Sequence, residues 1–208
     1  RGRQKLVAQI VAAIILVASG LWIGGIEFLG SYVHLGLLSL PFTVFWMVGA
    51  INALNLIDGM DGLASSVGVV LSLSVAAMAA LVGHPTEAFL ALALAGALSG
   101  FLWYNRPPAT IFLGDAGALS FGATFAVIGL ILGKPFSLPI IGGMFVIEIV
   151  SSFIQLLSKK YRKKKFFPVA PFHLWLQTKG WEEPKIVMRI WVMSILCALI
   201  GLMIAFMK

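Results

Sequence analysis

A chain of 208 residues that is 60% hydrophobic and 11% charged is not an ordinary soluble domain, where about a quarter of residues carry charge. A mean hydropathy of +1.02 points to an integral membrane protein. The net charge of +7 comes from 15 Lys and Arg against 8 Asp and Glu. It speaks for anionic lipid headgroups rather than nucleic acid, because its densest run borders an apolar segment.

Charge-free runs cover 6–26, 28–57, 62–86, 88–105, 116–133 and 190–207, and 136–157 is interrupted only by Glu148. A spanning helix needs about 20 apolar residues. The expected architecture is therefore an all-α, polytopic transmembrane helical bundle. About seven spans are expected, near 6–24, 38–56, 63–82, 87–104, 117–133, 137–157 and 187–206. Residues 1–208 read as a single integral-membrane domain. The first residue is Arg1, which suggests a fragment, and no small-residue cleavage site ends the first apolar run. Segment 25–37, rich in Gly, β-branched and aromatic residues, is expected as a short hairpin or interfacial stretch. "GHPTE" (83–87) and "GKPFS" (133–137) read as tight turns on the same side. The single Cys197 lies in the last apolar run and forms no internal disulfide.

With this topology, thirteen of the fifteen Lys and Arg fall on the side of the N-terminus, leaving Lys134 and Lys208 opposite. Positive charge marks the cytoplasmic side. The loops on that side, 55–62, 105–116 and 158–186, are the polar ones, so function is expected there.

"NALNLIDGMDGLASS" (52–66) sets Asn52, Asn55, Asp58 and Asp61 at steps of three, close together on a helix, before Gly59 and Gly62 let the chain turn. Either a substrate-facing polar ridge or a solvated helix end fits that pattern. In "NRPPATIFLGDAGALSFG" (105–122), Asp115 between Gly114 and Gly117 can cap the next helix or hold a hard cation such as Mg2+. Phe112 can stack on a planar ring or simply pack. In "KKFFPVAPFHLWLQTKGWEEPK" (164–185), Pro168 and Pro171 break any helix ahead of His173. His34 and His84 fall on the opposite side, without acidic neighbours in a cluster. Glu148 is an intramembrane carboxylate, which marks either function or an interhelical hydrogen bond; Gln155 lies two turns further on the same face. Acids for Mg2+, cations for phosphates and a membrane for a lipid together suggest phosphoryl transfer from a soluble nucleotide-activated donor to a lipid acceptor. A transporter, the rival of another class, would hold its ionisable groups near the midplane, where only Glu148 sits. A purely structural subunit would not need the Asn-Asp and Gly-Asp loops.

"NALNLIDGMDGLA", "FLGDAGALSFG", "LPIIGGMFVIEIVSSFIQ" and "APFHLWLQTKGWEEPKIVMRIW" occur in the order found in polyprenyl-phosphate N-acetylhexosamine-1-phosphate transferases, and this chain resembles that superfamily through nearly its whole length. Its closing segments most resemble the phospho-N-acetylmuramoyl-pentapeptide transferase branch. The resemblance implies transfer of phospho-MurNAc-pentapeptide from UDP to undecaprenyl phosphate, giving lipid I and UMP, at the cytoplasmic face of a bacterial inner membrane. It implies Mg2+ as cofactor, held by Asp115, and Asp58 and His173 as catalytic residues alongside Asp115. It further implies Asn55 beside Asp58, Asp61 and Phe112 near the uracil, Gln155 in the nucleoside pocket and Lys5 near the diphosphate, with Asn52 in the same substrate-binding ridge. Partners would be undecaprenyl phosphate, a UDP-linked amino sugar and the bilayer, not nucleic acid; a homodimer is compatible with the composition. A UDP-GlcNAc donor is the alternative. Two departures stand out. The family's three consecutive His become His173, Leu174 and Trp175, and its GDxGSL becomes GDAGAL with Ala118. The family also carries an adjacent Asp pair and further spans upstream of "RGRQKL", so this chain reads as the C-terminal part of a longer fold.

Overall fold

In a hydrocarbon layer the backbone must satisfy its own N–H and C=O groups. The apolar runs accordingly fold as helices in the computed structural model, which describes residues 2–28, 31–134 and 137–206. In chain order they are α1 (Gly2–Ala18), α2 (Ser39–Ile57), α3 (Leu63–Leu81), α4 (Pro85–Asn105), α5 (Gly114–Ile131), α6 (Ser137–Ile141), α7 (Gly143–Leu157), α8 (Phe172–Thr178) and α9 (Glu183–Phe206). A 3-10 turn, Gly36–Leu38, leads into α2, and a π-helical turn, Ser158–Arg162, ends α7. The stretch after α1 forms the expected hairpin: β1 (Gly25–Phe28) pairs antiparallel with β2 (Ser31–His34), Gly25 opposite His34. The turn at 133–137 is described only in part, since residues 135 and 136 lie outside the described residues.

Among the described residues, five segments are long and apolar enough to cross a membrane: Gly36–Ile57, Leu63–Leu81, Pro85–Asn105, Gly114–Ile131 and Glu183–Phe206. This corrects the expected seven. The apolar run that opens the chain continues past residue 20, but α1 stops after 17 residues, about 25 Å of helix. Gly20 turns the backbone out at φ 93°, and the chain runs on toward β1. The run at 137–157 breaks at Gly142 into α6, of 5 residues, and α7, of 15. Apolar composition extends across both breaks, whereas the helix does not. The architecture is that of a polytopic membrane bundle with one small hairpin.

Two sets of helices make the bundle. α2 packs on α1, α5 and α7, and α3 packs on α4, α6 and α9. α3 is buried along most of its length, and Leu63, Val67, Val75 and Met78 form the centre of the main core. α9 and α4 instead leave Trp191, Leu196, Met203, Phe89 and Trp103 exposed, as helices facing lipid do. Small residues set the closest crossings. A Cβ on Gly122 of α5 would stand 2.6 Å from Cα of Ile51 in α2, and one on Gly201 of α9 would stand 2.6 Å from the backbone N of Ile141 in α6. The backbone at both crossings cannot yield as a side chain would. Gly122→Val is therefore expected to destabilise the bundle by about 1–3 kcal/mol, read as a lower thermal unfolding temperature in detergent; an unchanged temperature would show that the α2–α5 contact is not this close.

Candidate active site

The polar loops meet at one end of the bundle. α2 ends at Ile57, and Asp58 already has a non-helical backbone, so the run Asn52, Asn55, Asp58, Asp61 does not form one continuous ridge. Each member faces a different element. Asn52 donates from Nδ2 to Oε1 of Gln9 on α1 at 2.7 Å and to its own helix at Val48 O. Asn55 donates to Oδ1 of Asp115 at 3.0 Å. Oδ2 of Asp58 accepts the N–H of Gly114, the first residue of α5, at 3.1 Å. Oδ2 of Asp61 accepts the N–H of Ala109 at 2.9 Å.

Asp115 does not cap its own helix. The N-cap of α5 is Leu113, which offers no side-chain bond, and Asp58 supplies that function from another segment. This leaves Asp115 to project outward, where its Oδ2 forms an ion pair with Nζ of Lys5. The Gln9–Asn52 amide pair lies one turn further along α1 from Lys5 and docks α1 on α2, which brings Lys5 to Asp115.

Asn105 is buried at the end of α4 and was not legible as a site residue. Its Oδ1 accepts from Gly62 N at 3.1 Å and Ser65 Oγ at 2.8 Å, and its Nδ2 donates to Ile111 O at 3.0 Å. It thus ties the 58–62 turn to the 105–113 loop. Gly62 takes φ 76°, the left-handed conformation in which a side chain is strained. The available signal was a polar amide closing an apolar helix directly before Arg106-Pro107-Pro108.

The third segment arrives from α7 and α8. Glu148 is 0% and His173 1% exposed. Glu148 accepts the backbone N–H of His173 at 3.2 Å to Oε1, and its Oε2 lies 3.1 Å from Nδ1. The other ring nitrogen lies against the 58–62 turn, since a Cβ on Gly59 would be 2.7 Å from Nε2. Asp58, Asp115 and His173 therefore come from distant segments to one place, with His173 beneath the turn. Gln155 points elsewhere: its Oε1 accepts from Phe166 N and Phe167 N, and its Nε2 donates to Phe167 O. Phe112 stands exposed beside the Asp115 loop. His34 and His84 lie at the other end of the bundle, where His84 faces Glu87 at 3.5 Å.

The two central carboxylates differ in surroundings. Burial pushes the proton affinity of Asp58 above the ordinary carboxylate value; the Gly114 N–H opposes this, and the negative Asp115 adds to it. Asp115 is exposed and held by a cation. Among the described residues no group of three or more His, Cys, Asp and Glu forms a metal cluster. The donor set nevertheless fits Mg2+, which takes one or two carboxylates and fills its other positions with water and phosphate oxygens. Asp115 already satisfies one oxygen with an ammonium group.

An apolar cavity of about 380 Å3 lies between α1, α2 and α7, lined by Ile10, Pro41, Val44, Phe45, Val48, Gly49, Asn52, Ile149 and Phe153. Asn52, its polar member, is about one helical turn from Asn55, which in turn bonds Asp115.

A family model described as "Glycosyl transferase family 4" matches residues 1–133. With its membrane bundle and its clustered Asp, Asn and Lys side chains, the chain belongs to this family of transferases. The phospho-N-acetylmuramoyl-pentapeptide-transferase of Clostridium botulinum (strain Eklund 17B / Type B) is 38% identical over 205 residues, covering 97% of this chain and 63% of the relative. Proteins of the same name from Ruegeria pomeroyi and Leptospira biflexa are 40% and 39% identical, covering 84% and 83% of this chain and 53% and 51% of the relatives. These matches bear out the resemblance read from the four motifs. The chain spans 63% of the length of the Clostridium relative and about half of the other two.

Two outcomes follow from this geometry. Asn105→Ala strands Gly62 N and Ile111 O and should cost about 1–3 kcal/mol of stability in chemical or thermal unfolding; no loss would mean the two loops hold each other by other means. Because the folded protein binds the Asp58 proton more tightly than the unfolded chain, the contribution of Asp58 to stability falls as pH rises from the ordinary carboxylate range through its raised folded value. The difference in stability between wild type and Asp58→Asn should track that fall, and a pH-independent difference would contradict it.

Proposed function

We propose that the full-length protein containing this chain is a phosphoglycosyl transferase that moves phospho-MurNAc-pentapeptide from its UDP-linked donor to undecaprenyl phosphate, giving lipid I and UMP. The observation that carries this reading is the placement of Asp115, whose two oxygens meet Lys5 and Asn55 while Asp58 grips the first N–H of the same helix. Such a cluster offers a cation, amide donors and hard oxygen ligands side by side, which suits a diphosphate. The relatives' printed name supplies the donor class and the acceptor comes from the family resemblance.

In this reading an oxygen of the lipid phosphate attacks the sugar-bearing phosphorus of the UDP-sugar, a new P–O bond forms, and the bond to UMP breaks. With substrate present, Lys5 and Asn55 would turn from Asp115 to the diphosphate, and Asp115 would be the residue to hold Mg2+. When bound, Mg2+ offsets the negative charge that collects on the leaving UMP. Asp58, half-buried and with one oxygen free of partners among the described residues, faces the same centre. In this reading Phe112, which is exposed, and Asp61 would meet the uracil, as the family resemblance implies. The apolar cavity between α1, α2 and α7 is suited to the first part of a polyprenyl tail, with Asn52 at its polar end. Basic residues gather at this same end of the bundle, which supports a cytoplasmic site in a bacterial inner membrane.

Leu174 and Trp175 stand where the family has two further His, and they favour a second reading in which UDP-GlcNAc is the donor. Supplying the full-length protein with each UDP-sugar and undecaprenyl phosphate, and identifying the lipid product by mass, separates the two. In the same assay Asp115→Asn should lower Mg2+-dependent exchange between UMP and the UDP-sugar by about 100-fold or more. Undiminished exchange would remove Asp115 from the metal site.

A further inference from the structure

A carboxyl group buried in an apolar bundle has to be matched by hydrogen-bond partners at the point where it sits. Glu148 lies six residues into α7, is wholly buried, and among the described residues its carboxyl group finds those partners in one residue only. The backbone N–H of His173 is shared between Oε1 at 3.2 Å and Oε2 at 3.4 Å, and Nδ1 stands 3.1 Å from Oε2. The backbone N–H and Nδ1 of the same residue thus both meet the one carboxyl group. The imidazole is therefore fixed in position and in orientation, and its other edge bears on Gly59, where even a methyl group would lie 2.7 Å from Nε2. Gly59 follows Asp58 directly, and its own N–H is turned back onto Ile57 O at 2.9 Å.

Neither Glu148 nor His173 is accessible at the surface, since both are at most 1% exposed. We infer that Glu148 and His173 are positioning residues: a buried strut that runs from α7 through the imidazole to Gly59 and sets where Asp58 stands, without either side chain touching substrate. The inference rests on the reading of Asp58 as part of the reaction centre. It also accounts for the tolerance of Leu174 and Trp175 in this chain, because the strut uses one His and no neighbour of it.

Size exchange across the Gly59–His173 contact tests the strut. In the full-length protein, Gly59→Ala pushes against a ring that cannot move and should lower kcat for UMP exchange by about tenfold or more, with KM for the UDP-sugar little changed. His173→Asn keeps a side-chain amide able to bond Glu148 in place of Nδ1 and vacates the space beneath Gly59. In that background Gly59→Ala fills the space, and its cost should shrink to about twofold or turn into a gain. Equal costs in both backgrounds would overturn the strut. A His173→Asn enzyme without residual exchange, unrestored by Gly59→Ala, would show that the imidazole itself works on substrate and would equally overturn it.

Glu148→Gln gives a readout apart from activity. It leaves the packing volume intact but replaces one of the two oxygens that meet His173 with an NH2 group, so hydrogen exchange should quicken at the amides of residues 59–63 while those in the middle of α4 keep their protection. Protection lost uniformly, or not at all, contradicts a local strut. If no UDP-sugar supports transfer, the proposed function fails while this exchange pattern still decides the inference.

Discussion

Irregular backbone at the end of an apolar bundle has few places to find hydrogen-bond partners, and here side chains supply them. Asp58 takes Gly114 N, Asp61 takes Ala109 N, Asn105 takes Gly62 N and gives to Ile111 O, and Gln155 serves both N–H and C=O of Phe167. Each of these loop segments is held by a side chain from another segment, a loop or a helix end. The cluster of Asp, Asn and Lys is therefore a structural necessity before it is a chemical one. What marks the centre is the remainder: Asp115 serves no backbone group, and Asp58 serves one with one of its two oxygens.

That division explains how much could be read from the chain alone. The apolar runs announced most of the helices, since composition and length suffice for a lipid-facing rod. They failed at Gly20 and Gly142, because mean hydropathy does not register a glycine that turns the chain or breaks a helix. The hairpin at 25–34 was legible from β-branched and aromatic residues beside Gly. Within the site, Asp58 and Asp115 stood out through their Gly neighbours. Their exchange of roles did not: periodicity puts Asp58 on the ridge of α2 and lets Asp115 cap α5, whereas Asp58 performs the capping and Asp115 turns to the side chains of Lys5 and Asn55.

Amides were the least legible group. Asn52, Asn55, Asn105 and Gln155 are chemically alike in a sequence, yet one docks a helix, one holds a carboxylate, one ties two loops and one orders the chain after a basic run. An amide has both donor and acceptor, so its role is decided by which backbone groups are stranded nearby, and that is a property of the tertiary fold. Gln155 illustrates the point. It lies two turns beyond Glu148 on α7, and its amide bonds the loop that carries Phe166 and Phe167.

Under the proposed function, the unequal surroundings of the two carboxylates also bear on how a highly charged substrate would be received so close to lipid. A pair of equally exposed acids would repel a diphosphate. Here one negative charge is offset by Lys5, and the other is held back by burial, so the face presented outward carries less net negative charge than two Asp residues imply. The apolar cavity opens beside this face along α2 rather than across it, with Asn52 and Asn55 one turn apart marking the passage from apolar to polar lining. A ligand with a long hydrocarbon chain and an anionic head is matched by that gradient along a single helix, and the helix that carries it is held on one side by Gln9 of α1 and on another by the close approach of Gly122 of α5.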